Sequence, residues 1–88
     1  MKITMTLTKT EKILAILNQW DPEDRRGSDG KLDWRAYHFE ADTIAQQVGS
    51  NSYVKTVEKS IRETLDVEQI NDEEIKTVAK VIAAGLKK

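Results

Sequence analysis

The chain has 88 residues, 39% of them hydrophobic and 33% charged, which is enough for one domain with a modest core and too little for two. Its 14 basic and 15 acidic residues give a net charge of −1, so no overall field attracts nucleic acid or an anionic membrane. The absence of cysteine and the single histidine exclude disulfides, thiolate nucleophiles and cysteine-rich zinc sites.

Residues 1–7 alternate like a strand but lack the apolar run of a secretory signal. No stretch of the chain approaches the roughly 20 apolar residues that span a bilayer. We therefore expect a soluble, cytoplasmic protein. Residues 1–88 should form a single helical domain in which residues 1–7 are an N-terminal extension.

A capping box predicts where the first helix begins. Thr8 stands at the N-cap and Glu11 follows three residues later. The side chain of each can therefore accept a hydrogen bond from the backbone N–H of the other. The apolar stripe of this helix consists of Ile13, Ile16, Leu17 and Trp20. The helix should end at Trp20, because the next residue, Asp21, precedes Pro22 and is pushed out of the α region. The acidic residues that follow Pro22 favour a short helical turn there.

Residues 21–33 predict an exposed, mobile loop, because they contain two glycines and almost no apolar residue. A turn is expected at Asp29-Gly30. This part of the loop imitates the middle of a calcium-binding EF-hand. However, the positions that would supply the first, third and twelfth ligands hold Arg25, Gly27 and Ala36. We therefore expect no calcium site.

Three further stripes at helical spacing predict helices at about residues 34–48, 54–65 and 71–86. The first stripe consists of Trp34, Tyr37, Ala41, Ile44, Ala45 and Val48. Asn71, with a glutamate three residues later, predicts the start of the last helix. The predicted fold class is all-α, a compact array of four helices with a long polar loop between helices 1 and 2.

Catalytic chemistry finds little support in the sequence. His38 and Asp42 would share a helix face, and such a pair can hold a metal or orient a general base, but no spacing indicates a third ligand. Many carboxylates stand at predicted helix starts, where they stabilise the helix dipole. We therefore expect no enzyme activity, no catalytic residue, no metal and no cofactor.

One family resemblance covers roughly residues 13–66. The tripeptide Trp20-Asp21-Pro22, a variable loop, and then Tyr37 and Glu40 ahead of an apolar stripe resemble the YugE-like family of small bacterial proteins. The resemblance implies an all-helical, cytoplasmic bacterial protein and no particular reaction. These five residues are the candidates for protein binding. We favour the interpretation that the two aromatic residues belong to the core and that Asp21-Pro22 is a helix cap.

A second resemblance concerns residues 44–49 and 54–56, which are similar to a helix-turn-helix of the LuxR type. In such a domain the third helix enters the major groove of DNA. The candidate contacts to bases and phosphates are Ser52, Lys55, Lys59 and Arg62. Two glutamates of the same helix, Glu58 and Glu63, lie among these basic residues.

Two functions therefore stay open. The first is a non-enzymatic protein–protein interaction module of regulatory, adaptor or immunity type, with a protein partner that the sequence does not identify. The alternative is a DNA-binding transcriptional regulator with a helix-turn-helix at about residues 41–65.

Overall fold

The computed structural model describes residues 8–49 and 53–86, and these residues contain four helices and no strand. The helices are α1 (Lys9–Trp20), α2 (His38–Val48), α3 (Val54–Thr64) and α4 (Asp72–Leu86). The all-α prediction with four helices is confirmed. Residues 1–7, expected to be an extension, lie outside the described residues.

The four helices close around one core. α1 packs against α2 and α4, and α3 packs against the same two helices. Tyr37 is the largest of the described side chains that are fully buried. The other fully buried members of the core are Ile13, Leu17, Ala41, Ile44, Val57, Ile61, Ile75, Ala79, Ile82 and Ala83. Burying one large apolar side chain stabilises a fold by about 1.5–3 kcal/mol, so these contacts dominate the stability.

Both ends of α1 lie where the sequence predicts them. The Thr8 hydroxyl accepts a hydrogen bond from the Glu11 N–H at 3.1 Å, and the Glu11 carboxylate accepts one from the Thr8 N–H at 3.0 Å. The backbone bond to Thr8 holds the pKa of the exposed Glu11 below its ordinary value. After Trp20, Asp21 takes a left-handed conformation (φ 49°), and its N–H donates to the Leu17 carbonyl at 2.7 Å.

α2 begins at His38, four residues after the start of its predicted apolar stripe. The Asp33 carboxylate accepts from the Arg35 N–H at 2.9 Å, and the Asp33 carbonyl accepts from the Ala36 N–H at 2.8 Å. These local bonds make a tight turn instead of a helix. Trp34 is consequently 65% exposed, so its assignment to the core stripe of helix 2 is wrong.

α4 begins after Asn71, whose side-chain oxygen accepts from the Glu73 N–H at 2.7 Å. The asparagine cap predicted here is therefore present, although its partner is one residue closer than in a capping box. Among the described helices, none combines the length and the apolar character needed to cross a membrane.

The connection between α1 and α2 runs from residue 21 to residue 37 without a helix. Pro22 and Glu23 form a turn in place of the short helical turn that the sequence favours. Residues 24–31 are exposed, and Gly30 (φ 77°) makes the turn that follows Asp29. Leu32 is half-buried and packs against the core. This connection carries most of the residues that the sequence singles out.

Candidate functional site

The hydroxyl group of Tyr37 lies at the centre of a polar network. It donates to Asp21 Oδ1 at 2.6 Å and accepts from the Glu23 N–H at 3.0 Å. Burial, followed by the hydrogen bond to Asp21, raises the pKa of the Tyr37 phenol well above its ordinary value. The phenol therefore stays neutral at physiological pH and acts as a fixed hydrogen-bond donor.

Asp21 receives several donors besides the phenol. Its Oδ1 accepts from the Arg25 N–H at 2.8 Å, and the Arg26 side chain approaches its Oδ2 at 3.5 Å. Burial of the carboxyl opposes its ionisation. The bonds from Tyr37 and from the backbone of Arg25 and Arg26, together with the charge of Arg26, outweigh burial and lower the pKa of Asp21. Asp21 is thus a carboxylate that fixes the start of the connection.

Arg25 joins the connection to α2. Its guanidinium lies 2.6 Å from a carboxylate oxygen of Glu23 and 2.6 Å from one of Glu40. It also donates to the Ala36 carbonyl and stands 4.4 Å from the centre of the Tyr37 ring. The hydrogen bond to Glu40, and then the one to Glu23, raises the pKa of Arg25. The side chain is a permanent cation between two acids.

The network also reaches the connection between α3 and α4. Glu23 Oε2 accepts from the N–H of Asp66, which belongs to the connection between α3 and α4. Asp21, Tyr37 and Glu40 are therefore brought together as the sequence pattern suggests, but Arg25 and Glu23 complete the group. Sequence reasoning missed both, because Arg25 and Glu40 are 15 positions apart and no helical or strand spacing relates them.

The remaining two candidates lie beside this network. Trp20 is half-buried against the core, and its indole N–H donates to Glu74 Oε2 at 2.9 Å, so it joins α1 to α4. Pro22 is half-buried and borders a polar cleft that Asp24 and Asp66 also line. All five candidates thus have internal structural contacts or partial burial. Their role in partner binding stays a prediction.

The pair His38 and Asp42 does not assemble into a site. Asp42 accepts from Thr10 at 3.3 Å with one oxygen and from Gln46 at 3.0 Å with the other, while His38 is exposed. In the part of the chain that the structure describes, no three His, Cys, Asp or Glu side chains are grouped so that they could hold a metal ion.

The candidate DNA contacts lie on α3. Lys55, Lys59 and Arg62 are exposed there, whereas Ser52 lies outside the described residues. Arg62 forms ion pairs with Asp72 at 3.0 Å and with Glu58 at 3.1 Å, and these raise its pKa. One of the three cations on α3 is therefore already neutralised within the protein.

A different surface combines an exposed aromatic ring with a helix face. Trp34 lies beside α1 and forms a shallow groove that we call the Trp34 groove, lined by Glu11, Leu14, Ala15, Asn18 and Trp34. The Asn18 side-chain amide donates to the Trp34 carbonyl at 3.0 Å, which fixes the backbone of Trp34 on α1. Sequence reasoning missed this groove because it placed Trp34 at the start of the apolar stripe of helix 2.

In comparisons with known proteins, no protein-family model, no curated protein and no solved structure matches this chain. The resemblances to the YugE-like family and to LuxR-type domains therefore stay predictions, and the function is inferred from the geometry.

Proposed function

We propose that this chain is a non-enzymatic protein-interaction module of the bacterial cytoplasm, of regulatory, adaptor or immunity type, and that the Trp34 groove contacts the partner. One observation carries the proposal. In a chain with two tryptophans, Trp34 is 65% exposed and rests on a helix face instead of entering the core.

An indole in this position suits a protein interface. Tryptophan, tyrosine and arginine provide a large share of the binding energy in protein complexes, because a large, rigid side chain loses little entropy when it is buried. Asn18 already fixes the backbone of Trp34, so less order has to be gained on binding. Leu14 and Ala15 add apolar surface beside the ring.

The network around Tyr37 holds the backbone on both sides of the Trp34 groove. Arg25 binds the carbonyl of Ala36, two residues after Trp34, and Arg26 donates to the Asn18 carbonyl at 3.0 Å. Two residues that carry the resemblance to the YugE-like family, Glu40 and Asp21, hold these arginines, so in this proposal they help to position Trp34.

Capture from a host lysate on the immobilised chain tests the proposal. Phe39→Ala is the matched control, because Phe39 is 78% exposed but does not line the groove. We expect the wild-type chain and Phe39→Ala to retain the same protein and Trp34→Ala to lose it, with unchanged circular dichroism in all three. Retention by Trp34→Ala would remove the groove from the proposal.

A second candidate function is DNA binding, which one observation favours. Lys55 and Lys59 are exposed one turn apart on α3, and Lys76 of α4 lines the same surface depression. If the chain binds DNA through α3, Lys55→Glu combined with Lys59→Glu should abolish a salt-dependent mobility shift. Lys31→Glu combined with Arg35→Glu, an equal charge change at two exposed positions of the α1–α2 connection, should leave most of the shift intact. Equal losses would indicate a response to net charge alone.

A further inference from the structure

We propose that residues 22–36 form a strap that opens and closes as one unit over the folded helices, with Arg25 as its clasp. Its closure holds Trp34 in the geometry that binds a partner. The inference rests on the proposed function, since it concerns the regulation of the same groove.

The strap is held by polar contacts rather than by apolar burial. Its residues 24–31 and 33–35 are exposed, and Pro22 and Glu23 are half-buried. Two small contacts with the core come from the half-buried side chains of Leu32 and Ala36. The core itself is built mainly from side chains of the four helices, with Tyr37, Leu65 and Val67 from the connections, and most of these side chains are fully buried. Segments with few buried apolar contacts open at a lower free energy than the core does. The strap is thus able to open while the helices stay folded.

Two backbone conformations that side chains rarely adopt lie at the beginning of the strap, one just before it and one within it. Asp21 and Asp24 both have positive φ, 49° and 51° respectively. The Asp24 N–H donates to the Asp21 carbonyl at 3.2 Å, and the Asp21 side chain accepts from Arg25. Such conformations persist only where surrounding contacts hold them, so the loss of those contacts favours rearrangement at this point.

Several of the holding contacts involve Arg25. Its guanidinium binds Glu23 in the strap, Glu40 in α2 and the Ala36 carbonyl at the far end of the strap. The two carboxylate oxygens lie 2.6 Å from the same nitrogen, so they can be no more than about 5 Å apart. Without the cation, two like charges would face each other beside the Tyr37 ring. Loss of Arg25 therefore both removes an attraction and creates a repulsion.

The clasp is connected to the groove through short segments of backbone. Ala36, which Arg25 holds, is two residues from Trp34, and Arg26 donates to the carbonyl of Asn18, whose amide holds Trp34. In an open strap, Arg25 would no longer hold Ala36 in place, and Trp34 would be attached to α1 only through the Asn18 amide. A partner would then have to order the strap when it binds, which weakens binding.

Amide hydrogen exchange of the full chain, measured by NMR, tests the strap without any partner. The reporters are the N–H groups of Glu23, Ala36 and Asp66, which are bonded to the Tyr37 hydroxyl, the Asp33 carbonyl and the Glu23 carboxylate. We expect Arg25→Ala to raise their exchange rates at least about tenfold while core amides such as that of Ile61 change less than about twofold.

Arg62→Ala is the matched control, because Arg62 also bridges two carboxylates, Glu58 and Asp72, and neither belongs to the strap. It should leave the N–H groups of Glu23 and Ala36 unchanged, whereas Asp66 lines the same depression as Arg62 and is not used in this comparison. An equal increase of exchange in the core of Arg25→Ala would show that the strap does not open independently. Unchanged exchange at the reporters would show that Arg25 is not the clasp. Either result overturns the proposal.

Capture experiments separate this proposal from the proposed function. Arg25→Ala should retain less partner than the wild-type chain, and the captured amount should fall at least about threefold, as expected when a pre-ordered surface becomes mobile. If the strap opens and the partner is fully retained, the regulatory link is wrong and the groove stands. If Trp34→Ala retains the partner, the groove is wrong whatever the exchange data show.

Discussion

Replacing Tyr37 by phenylalanine isolates the polar part of the network, because the ring and its packing remain. The hydroxyl donates to the charged Asp21 at 2.6 Å and accepts from the Glu23 N–H at 3.0 Å. A hydrogen bond to a charged group contributes about 1.5–3 kcal/mol, and a neutral one about 0.5–1.5 kcal/mol. We expect Tyr37→Phe to lower the free energy of unfolding by about 2–4 kcal/mol, a large part of the roughly 5–15 kcal/mol that stabilises a domain.

Urea denaturation followed by circular dichroism at pH 7 measures this loss. The single variants Tyr37→Phe and Asp21→Ala and the double variant form a thermodynamic cycle, and contacting groups give a coupling energy of about 0.5–3 kcal/mol. A loss below about 0.5 kcal/mol for Tyr37→Phe, or a coupling energy near zero, would refute the role of this bond.

The same variant has a defined pH dependence. The folded-state pKa of Asp21 is lowered, so Asp21 contributes stability above its unfolded pKa of about 3.9, and this is lost as the pH falls through the folded value. Tyr37 has a raised folded-state pKa, so its contribution is present below about pH 10 and is lost at higher pH. The difference in stability between wild type and Tyr37→Phe should therefore shrink below about pH 4 and above about pH 10. A difference that stays constant from below about pH 4 to above about pH 10 would contradict both shifts.

Three further predictions concern the rest of the chain. Trp20→Ala should lower the free energy of unfolding by about 2–3 kcal/mol in urea denaturation, less than for a fully buried aromatic residue, because Trp20 is half-buried; a fully stable variant would contradict its structural role. Deleting Ser28 and Asp29 should change stability by less than about 1 kcal/mol in the same assay, because loop-closure entropy varies slowly with length and Arg25 is kept. A much larger loss would show that the turn itself contributes to the core. Calcium and zinc at micromolar concentration should leave the thermal midpoint unchanged, and a rise of several degrees would reveal a site that the described residues do not show.

Local patterns in the sequence were sufficient to predict where most of the helices lie. Thr8 and Glu11 form their capping box within four residues, and the asparagine before α4 caps its helix over a similarly short distance. These contacts involve neighbours along the chain, so spacing and residue type specify them. The same holds for the apolar stripes, since a helix repeats its buried positions every three to four residues.

The expectation of a mobile α1–α2 connection overlooked the polar contacts that stabilise it. Its composition suggested a mobile segment without anchors, because apolar residues are the anchors that a hydropathy pattern reveals. In the structure, Arg25 anchors the segment through charge and hydrogen bonding. The partners of an arginine are not specified by spacing when they come from another helix or from distant parts of a connection.

Only the tertiary structure decided which of the two aromatic residues near the start of α2 is buried. Tyr37 and Trp34 are three residues apart and both fit an apolar stripe, yet Tyr37 is fully buried and Trp34 is 65% exposed. The difference arises because Asp33 turns the chain before α2 begins, and because Asp21 and Glu23 supply partners for the Tyr37 hydroxyl alone. The sequence by itself determined the helices, through contacts between near neighbours. The candidate site combines local contacts, such as that of the Arg25 N–H with Asp21, with contacts between residues 11 to 43 positions apart. The distant contacts exist only once the helices have packed.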